Sequence, residues 1–233
     1  MFEFESRIRY SEADYEGKLD LLGILNYFQD CSTFESENFG MGVEEFHKRN
    51  LVWVLSTWQI EIIKFPIHGS KITIGTFPHE FKGCFGRRNF YMKDENGQML
   101  AMADTLWTLL NYEEGKPARM TDEIRSHYEL QERLPMQNIK SRIIVPKEME
   151  KLNEVVVGKR YLDANLHVNN GQYIRMALEN IEDKGYKFFR AEYRKQIREN
   201  DKVIISAGNT ENSLVVTISD EELHPATIME FGL

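Results

Sequence analysis

The residues best suited to chemistry lie in one short segment of the chain, YLDANLHVNNGQY. Asp163, Asn165 and His167 alternate in this segment, so an extended strand would place all three side chains on one face. A predicted helix follows at Asn170 and Gly171, where unpaired N–H groups and the helix macrodipole favour developing negative charge. A carboxylate, an amide and an imidazole beside such oxyanion donors indicate acyl transfer or thioester hydrolysis.

The sequence predicts the same series of elements twice. The first half predicts an alternating strand, a helix and four further strands. The second half predicts a strand over VVVGKRY, a helix over NGQYIRMALENIED that Gly185 ends, and four more strands. We therefore expect an α+β fold built of two tandem repeats of a strand, a long helix and four antiparallel strands. The repeats cover residues 1–111 and 151–233, and a polar linker with three prolines covers residues 112–150.

A superposition of the two halves about Gly23 and Gly171 identifies what differs between the copies. On that register, the three polar residues of the second copy are matched by Tyr15, Gly17 and Leu19. Any one of the three alone is better explained as a helix cap or a structural histidine than as a catalytic residue. Because the first copy is expected to form the same fold without them, we interpret the set as catalytic. The chain should then carry one active site, in its second copy.

The overall composition limits the classes of function. The chain of 233 residues carries 29 basic and 37 acidic residues, a net charge of −8, which disfavours a general binder of nucleic acid or of anionic membranes. No apolar run is long enough to span a bilayer, and the first residues lack the apolar region of a signal peptide. The chain has two cysteines, and its six histidines are scattered without an HExxH motif. We expect a cytoplasmic protein with no metal or other cofactor.

Beyond these patterns, nearly the whole chain resembles the acyl-acyl carrier protein thioesterases, the oleoyl-type enzymes of plants and their bacterial relatives. The segment D-x-N-x-H-V-N-N-x-x-Y, here DANLHVNNGQY, is similar to the active-site motif of that family. The further matches, in order, are RYSEAD, LLGILNYFQD, WVLSTWQIEI, GRRNFYMKDENGQMLAMADTLWTLLN and AEYRKQIREND. The resemblance implies a double-hotdog fold. It also implies hydrolysis of fatty acyl-acyl carrier protein (acyl-ACP), which releases free fatty acid and terminates fatty acid synthesis.

The resemblance implies catalytic roles for Asp163, Asn165 and His167, with one departure from the family pattern. The plant enzymes carry a Glu-Cys pair where this chain has Gln196 and Ile197, so a cysteine nucleophile is absent from that place. We therefore expect direct attack by water, which His167, or Asp163 with it, activates or orients. Gln196 can orient the water or the imidazole, but it cannot act as a base. Which of the other two residues holds the proton stays open.

The first copy is then available to enclose the acyl chain. Its candidate pocket residues are Leu22, Leu25, Trp53 and Trp58. A pocket of fixed depth would select chain length, because each buried methylene is worth about 0.8 kcal/mol. The same residues are explained equally well as ordinary core residues.

The acyl carrier protein is generally acidic, so this acidic chain needs a local positive patch to bind it. Residues 184–202 include seven basic and three acidic residues, and Arg87 with Arg88 is a second candidate. The proposed contact residues are Arg190, Arg194, Lys195 and Arg198. A solvated charged face is the ordinary alternative. An acyl-CoA thioesterase of the same fold and a non-catalytic acyl-binding module are alternative functions, and the chain is expected to be a monomer or a homodimer.

Overall fold

The chain folds into two compact units. A computed structural model describes residues 1–139, 141–163 and 166–233. The first unit consists of residues 1–56 and 60–137, and the second of residues 57–59 and 138–233. The segment expected to be a linker is therefore divided, since its residues up to 137 pack with the first unit and the remainder with the second.

The first unit contains a strand, a long helix and four further strands, with two short helices added. The elements are β1 (Phe2–Arg7), α1 (Leu21–Asn38), α2 (Val43–Lys48), β2 (Leu51–Ile62), β3 (Lys71–Lys82), β4 (Phe85–Asp94), β5 (Met99–Asn111) and α3 (Asp122–Ser126). The strand order is β1-β3-β4-β5-β2, and β1 with β3, β3 with β4, and β4 with β5 are antiparallel. Gly97, at φ 77°, closes the β4–β5 hairpin, because a glycine adopts this conformation without steric cost.

The second unit repeats this series in a shorter form. Its elements are β6 (Glu150–Val156), α4 (Asn170–Leu178), β7 (Phe188–Tyr193), β8 (Lys202–Asn209), β9 (Ser213–Ser219) and β10 (Pro225–Gly232). The strand order is β7-β10-β9-β8-β6. Both units thus contain a strand, a helix and four strands in that order. The predicted α+β class and the repeated order of elements are confirmed.

Two boundaries in the second unit differ from the prediction. The helix α4 ends at Leu178 rather than near residue 183, because the Asn180 side chain donates to the carbonyl of Met176 (2.8 Å) and ends the helical ladder. The strand predicted over VVVGKRY ends at Val156, and a 3-10 turn follows over Lys159–Tyr161. The second copy therefore has a short helix rather than a long one.

The helices α1 and α4 each bury an apolar face, and each contacts strands of its own unit. The hydrophobic residues of α1 that are buried are Leu21, Leu22, Ile24, Leu25, Tyr27, Phe28 and Cys31. Phe28 stacks on Phe90 of β4 with 5.4 Å between ring centroids, and truncation of such a buried ring typically costs about 3–5 kcal/mol. The face of α4 buries Tyr173, Ile174, Met176 and Ala177. None of the helices in the described ranges is long and apolar enough to cross a membrane.

Candidate functional site

The segment that carries Asp163 and His167 folds back on itself at its described residues, 162–163 and 166–168, instead of running as an extended strand. We call it the second-repeat turn; it begins at Leu162 and ends at Val168, which pair as an isolated antiparallel bridge. The Asp163 N–H donates to the His167 carbonyl (2.8 Å), and the Leu166 N–H donates to the Asp163 carbonyl (3.1 Å). Leu166 has a φ of 61°, a left-handed conformation that a strand cannot contain. The predicted shared strand face is therefore wrong for Asp163 and His167, whose backbones are hydrogen-bonded to each other across the turn.

Backbone contacts hold His167 directly before α4. The Val168 N–H donates to the Ile197 carbonyl (2.9 Å), and His167 forms an isolated antiparallel bridge with Arg198. The His167 N–H also donates to the Asp163 carboxylate (3.3 Å). The carboxylate thus helps to fix the backbone of His167. Among the described residues, the half-buried imidazole has no hydrogen-bond partner.

The two backbone N–H groups predicted as oxyanion donors, those of Asn170 and Gly171, differ in their hydrogen bonding at the start of α4. The Asn169 side chain caps the helix and accepts the Gly171 N–H (2.9 Å), so that amide is occupied. The Asn170 N–H has no acceptor in the part of the chain that the structure describes, and it lies at the positive end of the helix dipole. Asn165, the third predicted catalytic residue, lies outside the described residues.

Gln196 lies in the connection between β7 and β8, next to this turn. Its neighbour Ile197 is 1% exposed, and the Ile197 carbonyl accepts the Val168 N–H. The Gln196 side chain is exposed, and no described residue forms a hydrogen bond with it. The site brings Gln196 close to the second-repeat turn through the backbone, while its amide remains available to solvent or to a ligand.

The first unit contains an equivalent turn. The Asp14 N–H donates to the Lys18 carbonyl (2.8 Å), and the Gly17 N–H donates to the Asp14 carbonyl (3.0 Å). The Asp14 carboxylate accepts the Lys18 N–H (2.9 Å), and Gly17 has a φ of 78°. We call this segment, residues 13–19, the first-repeat turn. These are the contacts that Asp163, Leu166 and His167 make in the second copy.

The two turns correct the register that the glycine superposition suggested. The helix caps Asp20 and Asn169 match each other, so Asp163 corresponds to Asp14 and His167 to Lys18. The prediction that the first copy has lost the aspartate is therefore wrong. Sequence superposition misplaced it by one residue because it aligned two glycines that occupy different helical positions. The first copy lacks the histidine, and the residue that corresponds to Asn165 is a glutamate.

The four candidate pocket residues fall into different environments. Leu22 and Leu25 are both buried on α1. Trp53 on β2 packs against a separate cluster, which consists of Met41, Phe46, Leu109 and Ile124. Trp58 is 1% exposed and belongs to the short part of β2 that groups with the second unit. The structure thus places Leu22 and Leu25 together, and it does not join Trp53 to them.

Ion pairs neutralise most of the predicted positive patch. Arg190 bonds to Glu230 (3.1 Å) and to a backbone carbonyl, and its side chain is 12% exposed. Arg194 pairs with the nearby Glu192 (2.7 Å). Lys195 pairs with Asp220 (2.7 Å), and this contact raises the pKa of Lys195 above its ordinary value.

Arg198 is the exception. Its side chain is exposed and has no acidic partner among the described residues. Because its backbone bridges to His167, it places a free cation beside the second-repeat turn. Arg88, from the second candidate patch, is buried and pairs with Glu35 of α1, so it is not part of a surface patch. Within the described ranges, no group of three or more His, Cys, Asp or Glu residues is arranged as metal ligands would be.

One residue of the site had no predicted role. Tyr173 of α4 accepts a hydrogen bond from the Ile197 N–H (3.2 Å) through its hydroxyl. It is the last residue of the segment DANLHVNNGQY, so its position in that motif was a signal. Helical spacing alone indicated only a core position.

The family model and the curated relatives that match this chain belong to the same family. The family model described as the acyl-ACP thioesterase N-terminal domain matches residues 1–128. The chain is 27% identical over 215 residues to oleoyl-acyl carrier protein thioesterase 2, chloroplastic, of Arabidopsis thaliana, which covers 82% of this chain and 59% of that protein. It is 25% identical over 202 residues to thioesterase 1 of the same plant, covering 77% of this chain and 56% of that protein. The chain thus spans less than two thirds of the length of these curated relatives.

Solved structures match the fold over almost the full chain. An acyl-ACP thioesterase from Bacteroides thetaiotaomicron superposes with a TM-score of 0.90 at 22% identity, over 99% of this chain and 96% of that one. The 12:0-ACP thioesterase from Umbellularia californica superposes with a TM-score of 0.85 at 18% identity, over 99% and 96%. These likenesses confirm the predicted double-hotdog fold. Since the family model covers more than half of the sequence, the chain belongs to the acyl-ACP thioesterase family.

Proposed function

We propose that the chain hydrolyses the thioester of fatty acyl-ACP and releases free fatty acid, and so terminates fatty acid synthesis. The observation that carries this proposal is the placement of His167 directly before α4, beside the Asn170 N–H, which has no acceptor among the residues that the structure describes. A base and an oxyanion donor at one point are what attack on a thioester carbonyl requires. The relatives' names and the family support the substrate class.

In the proposed reaction, His167 takes a proton from a water molecule as the water oxygen bonds to the thioester carbon. The carbonyl oxygen becomes negative and is stabilised by the Asn170 N–H and, we propose, by the Asn165 side chain. The carbon–sulfur bond then breaks, and the proton on His167 passes to the departing thiolate of the carrier. Asp163 holds the His167 backbone and contributes its negative charge to the activation of the water, which Gln196 orients. Loss of one oxyanion donor typically lowers turnover by about 10²–10³-fold.

The carrier protein would contact the surface beside the second-repeat turn. Arg198 is the basic residue that supports this, because its side chain is exposed and unpaired among the described residues. An Arg198→Glu variant should raise KM for acyl-ACP several-fold and leave kcat unchanged. Lys195→Glu is the matched control, since Lys195 already pairs with Asp220. An equal effect of both variants would argue against a specific role for Arg198.

The acyl chain is proposed to lie against the first repeat, beside Leu22 and Leu25 of α1. Both side chains are buried there, and each methylene they cover contributes about 0.8 kcal/mol to binding. Trp53 and Trp58 remain further candidates for lining the pocket. Leu22→Trp should shorten the preferred acyl chain, and an unchanged chain-length profile in a folded variant would remove Leu22 from the pocket. We also propose a cytoplasmic location, which the two free cysteines support.

The decisive experiment measures release of fatty acid from a panel of acyl-ACPs and from the matching acyl-CoAs. We expect fast hydrolysis of acyl-ACP, weak hydrolysis of acyl-CoA, and a loss of at least about 10²-fold in His167→Ala. Lys18→Ala, at the equivalent place in the first repeat, is the matched control and should keep full activity. Preferential turnover of acyl-CoA would replace the proposed partner. No turnover of either substrate would favour a non-catalytic acyl-binding module.

A further inference from the structure

The hydroxyl of Tyr173 is fixed beside the second-repeat turn. Tyr173 is 3% exposed and accepts the Ile197 N–H at 3.2 Å. The carbonyl of the same Ile197 accepts the N–H of Val168, the residue that follows His167. One residue, Ile197, therefore links the phenol oxygen to the backbone that holds the candidate base.

The first repeat forms the same backbone arrangement without this hydrogen bond. Counting from the matched helix caps, Tyr173 corresponds to Ile24, which is buried and has no hydroxyl. Ile197 corresponds to Pro66, whose carbonyl accepts the Leu19 N–H (2.8 Å) but which has no N–H to donate. Donor and acceptor are thus absent together from the copy that lacks the histidine. The turn and the helix start do not need this hydrogen bond in order to form.

The phenol proton of Tyr173 has no acceptor among the described residues. A buried donor without an acceptor is unfavourable, and the arrangement in the first copy avoids that cost entirely. The Ile197 N–H occupies one side of the phenol oxygen, so it limits the directions in which the O–H can point. Burial has the largest effect and raises the pKa of Tyr173; the Ile197 N–H lowers it, and the carboxylates of Asp201 and Asp163 raise it. The net pKa lies above the ordinary value, so the phenol keeps its proton at neutral pH.

We propose that Tyr173 is a further catalytic residue, whose O–H, oriented by the Ile197 amide, donates a hydrogen bond to the oxyanion formed on the thioester carbonyl. The inference deepens the proposed function and rests on it. The phenol keeps its proton throughout, since it stabilises the negative oxygen without transferring a proton to it. A donor used in this way strengthens as charge develops, so it lowers the barrier more than it tightens substrate binding.

Three variants separate this role from a structural one. Tyr173→Phe removes the hydroxyl and leaves the Ile197 N–H without its acceptor, so kcat should fall by about 10²-fold with KM unchanged. Tm should fall by a few degrees. Ile197→Pro removes the orienting amide in a backbone that already accommodates proline in the first copy. The double variant Tyr173→Phe/Ile197→Pro reproduces the apolar pairing of the first repeat, so it should regain the lost Tm but not the lost kcat.

The outcomes distinguish this inference from the proposed function. Recovery of kcat together with Tm in the double variant would show that Tyr173 only satisfies a buried amide, and would overturn the proposal. So would a Tyr173→Phe variant that keeps kcat within about twofold of the unaltered chain, whatever the double variant does. Tyr91→Phe, which removes a buried hydroxyl bonded to Glu3 in the first unit, is the control and should change Tm alone. No thioester turnover by the unaltered chain would overturn both the proposed function and this inference.

Discussion

The two copies of the turn allow the catalytic and structural roles of one carboxylate to be measured separately. Asp14 and Asp163 occupy equivalent positions, and each accepts the N–H of the residue four places later. In the second copy that residue is His167, and in the first it is Lys18. Asp163→Ala therefore removes this turn contact beside the candidate base, and Asp14→Ala removes the equivalent contact away from it.

The structural cost of either change can be worked out from the first-repeat turn. The Asp14 carboxylate accepts the N–H groups of Glu16 (2.8 Å) and Lys18 (2.9 Å). At roughly 0.5–1.5 kcal/mol for each hydrogen bond, Asp14→Ala should destabilise the fold by about 1–3 kcal/mol. For a chain of this size that corresponds to a fall in Tm of roughly 2–12 °C. We expect a value in the lower half of that range, because the contacts are exposed to solvent.

The kinetic effects should differ while the structural effects are alike. Asp14→Ala should lower Tm and keep kcat within about twofold, because it lies outside the proposed reaction centre. Asp163→Ala should lower Tm by a similar amount and also lower kcat by about 10²-fold or more, because His167 loses its neighbouring charge and its fixed backbone. Asp163→Asn keeps an acceptor oxygen, so it should restore most of the Tm but not the activity.

The assay pairs thermal unfolding with steady-state hydrolysis of one acyl-ACP at saturating concentration. All variants are measured below the Tm of the least stable one, so that unfolding does not lower the rate. Equal losses of kcat in Asp14→Ala and Asp163→Ala would refute the reasoning. The loss would then come from the turn contact that both copies have, and not from the position of Asp163 beside His167. Full activity in Asp163→Asn would show that the charge of Asp163 contributes nothing to the reaction.

Three further predictions concern the first unit. Burial opposes ionisation of Asp104, but hydrogen bonds from His79 and Arg133 outweigh this effect and lower the pKa of Asp104. The ionised carboxylate therefore stabilises the fold at neutral pH, and this stabilisation is lost as the pH falls through the pKa of the folded state. Asp104→Asn should therefore flatten the acid limb of Tm against pH, and an unchanged limb would contradict this. Arg88→Met leaves the Glu35 carboxylate buried without its cation, which should destabilise the fold by about 3–5 kcal/mol and lower Tm by roughly 6–20 °C. Adding Glu35→Leu to this variant should largely restore Tm. Gly75→Ala should cost about 1–3 kcal/mol in chemical denaturation because the new methyl meets the ring of Tyr91, and no loss would mean that the ring moves freely.

Periodicity was enough to predict the elements, because both copies bury one face of a helix on a sheet. The apolar positions of α1 recur at helical spacing, and an Asn-Gly pair such as Asn96-Gly97, between β4 and β5, is typical of a hairpin. The early end of α4 could not be predicted in this way. It depends on a side-chain hydrogen bond from Asn180, which apolar spacing does not register.

The patch and the turn depended on information that the local sequence lacks. The acids that neutralise Arg190 and Lys195 lie 40 and 25 residues away along the chain, so only the folded sheet brings them together. The second-repeat turn contains a leucine at φ 61°, where the first copy has a glycine. A leucine gives no signal for a left-handed conformation, so the alternation around it was interpreted as a strand.

The corrected register changes which residues distinguish the two copies. Asp163 is no longer unique to the second copy, so its presence alone says nothing about catalysis. The differences that remain are Lys18 against His167, Ile24 against Tyr173 and Pro66 against Ile197. All three lie around one point at the start of α4, and the first copy shows that the fold forms without them. Residues that the shared fold does not require, and that occur together at one helix start, are best explained by the proposed reaction.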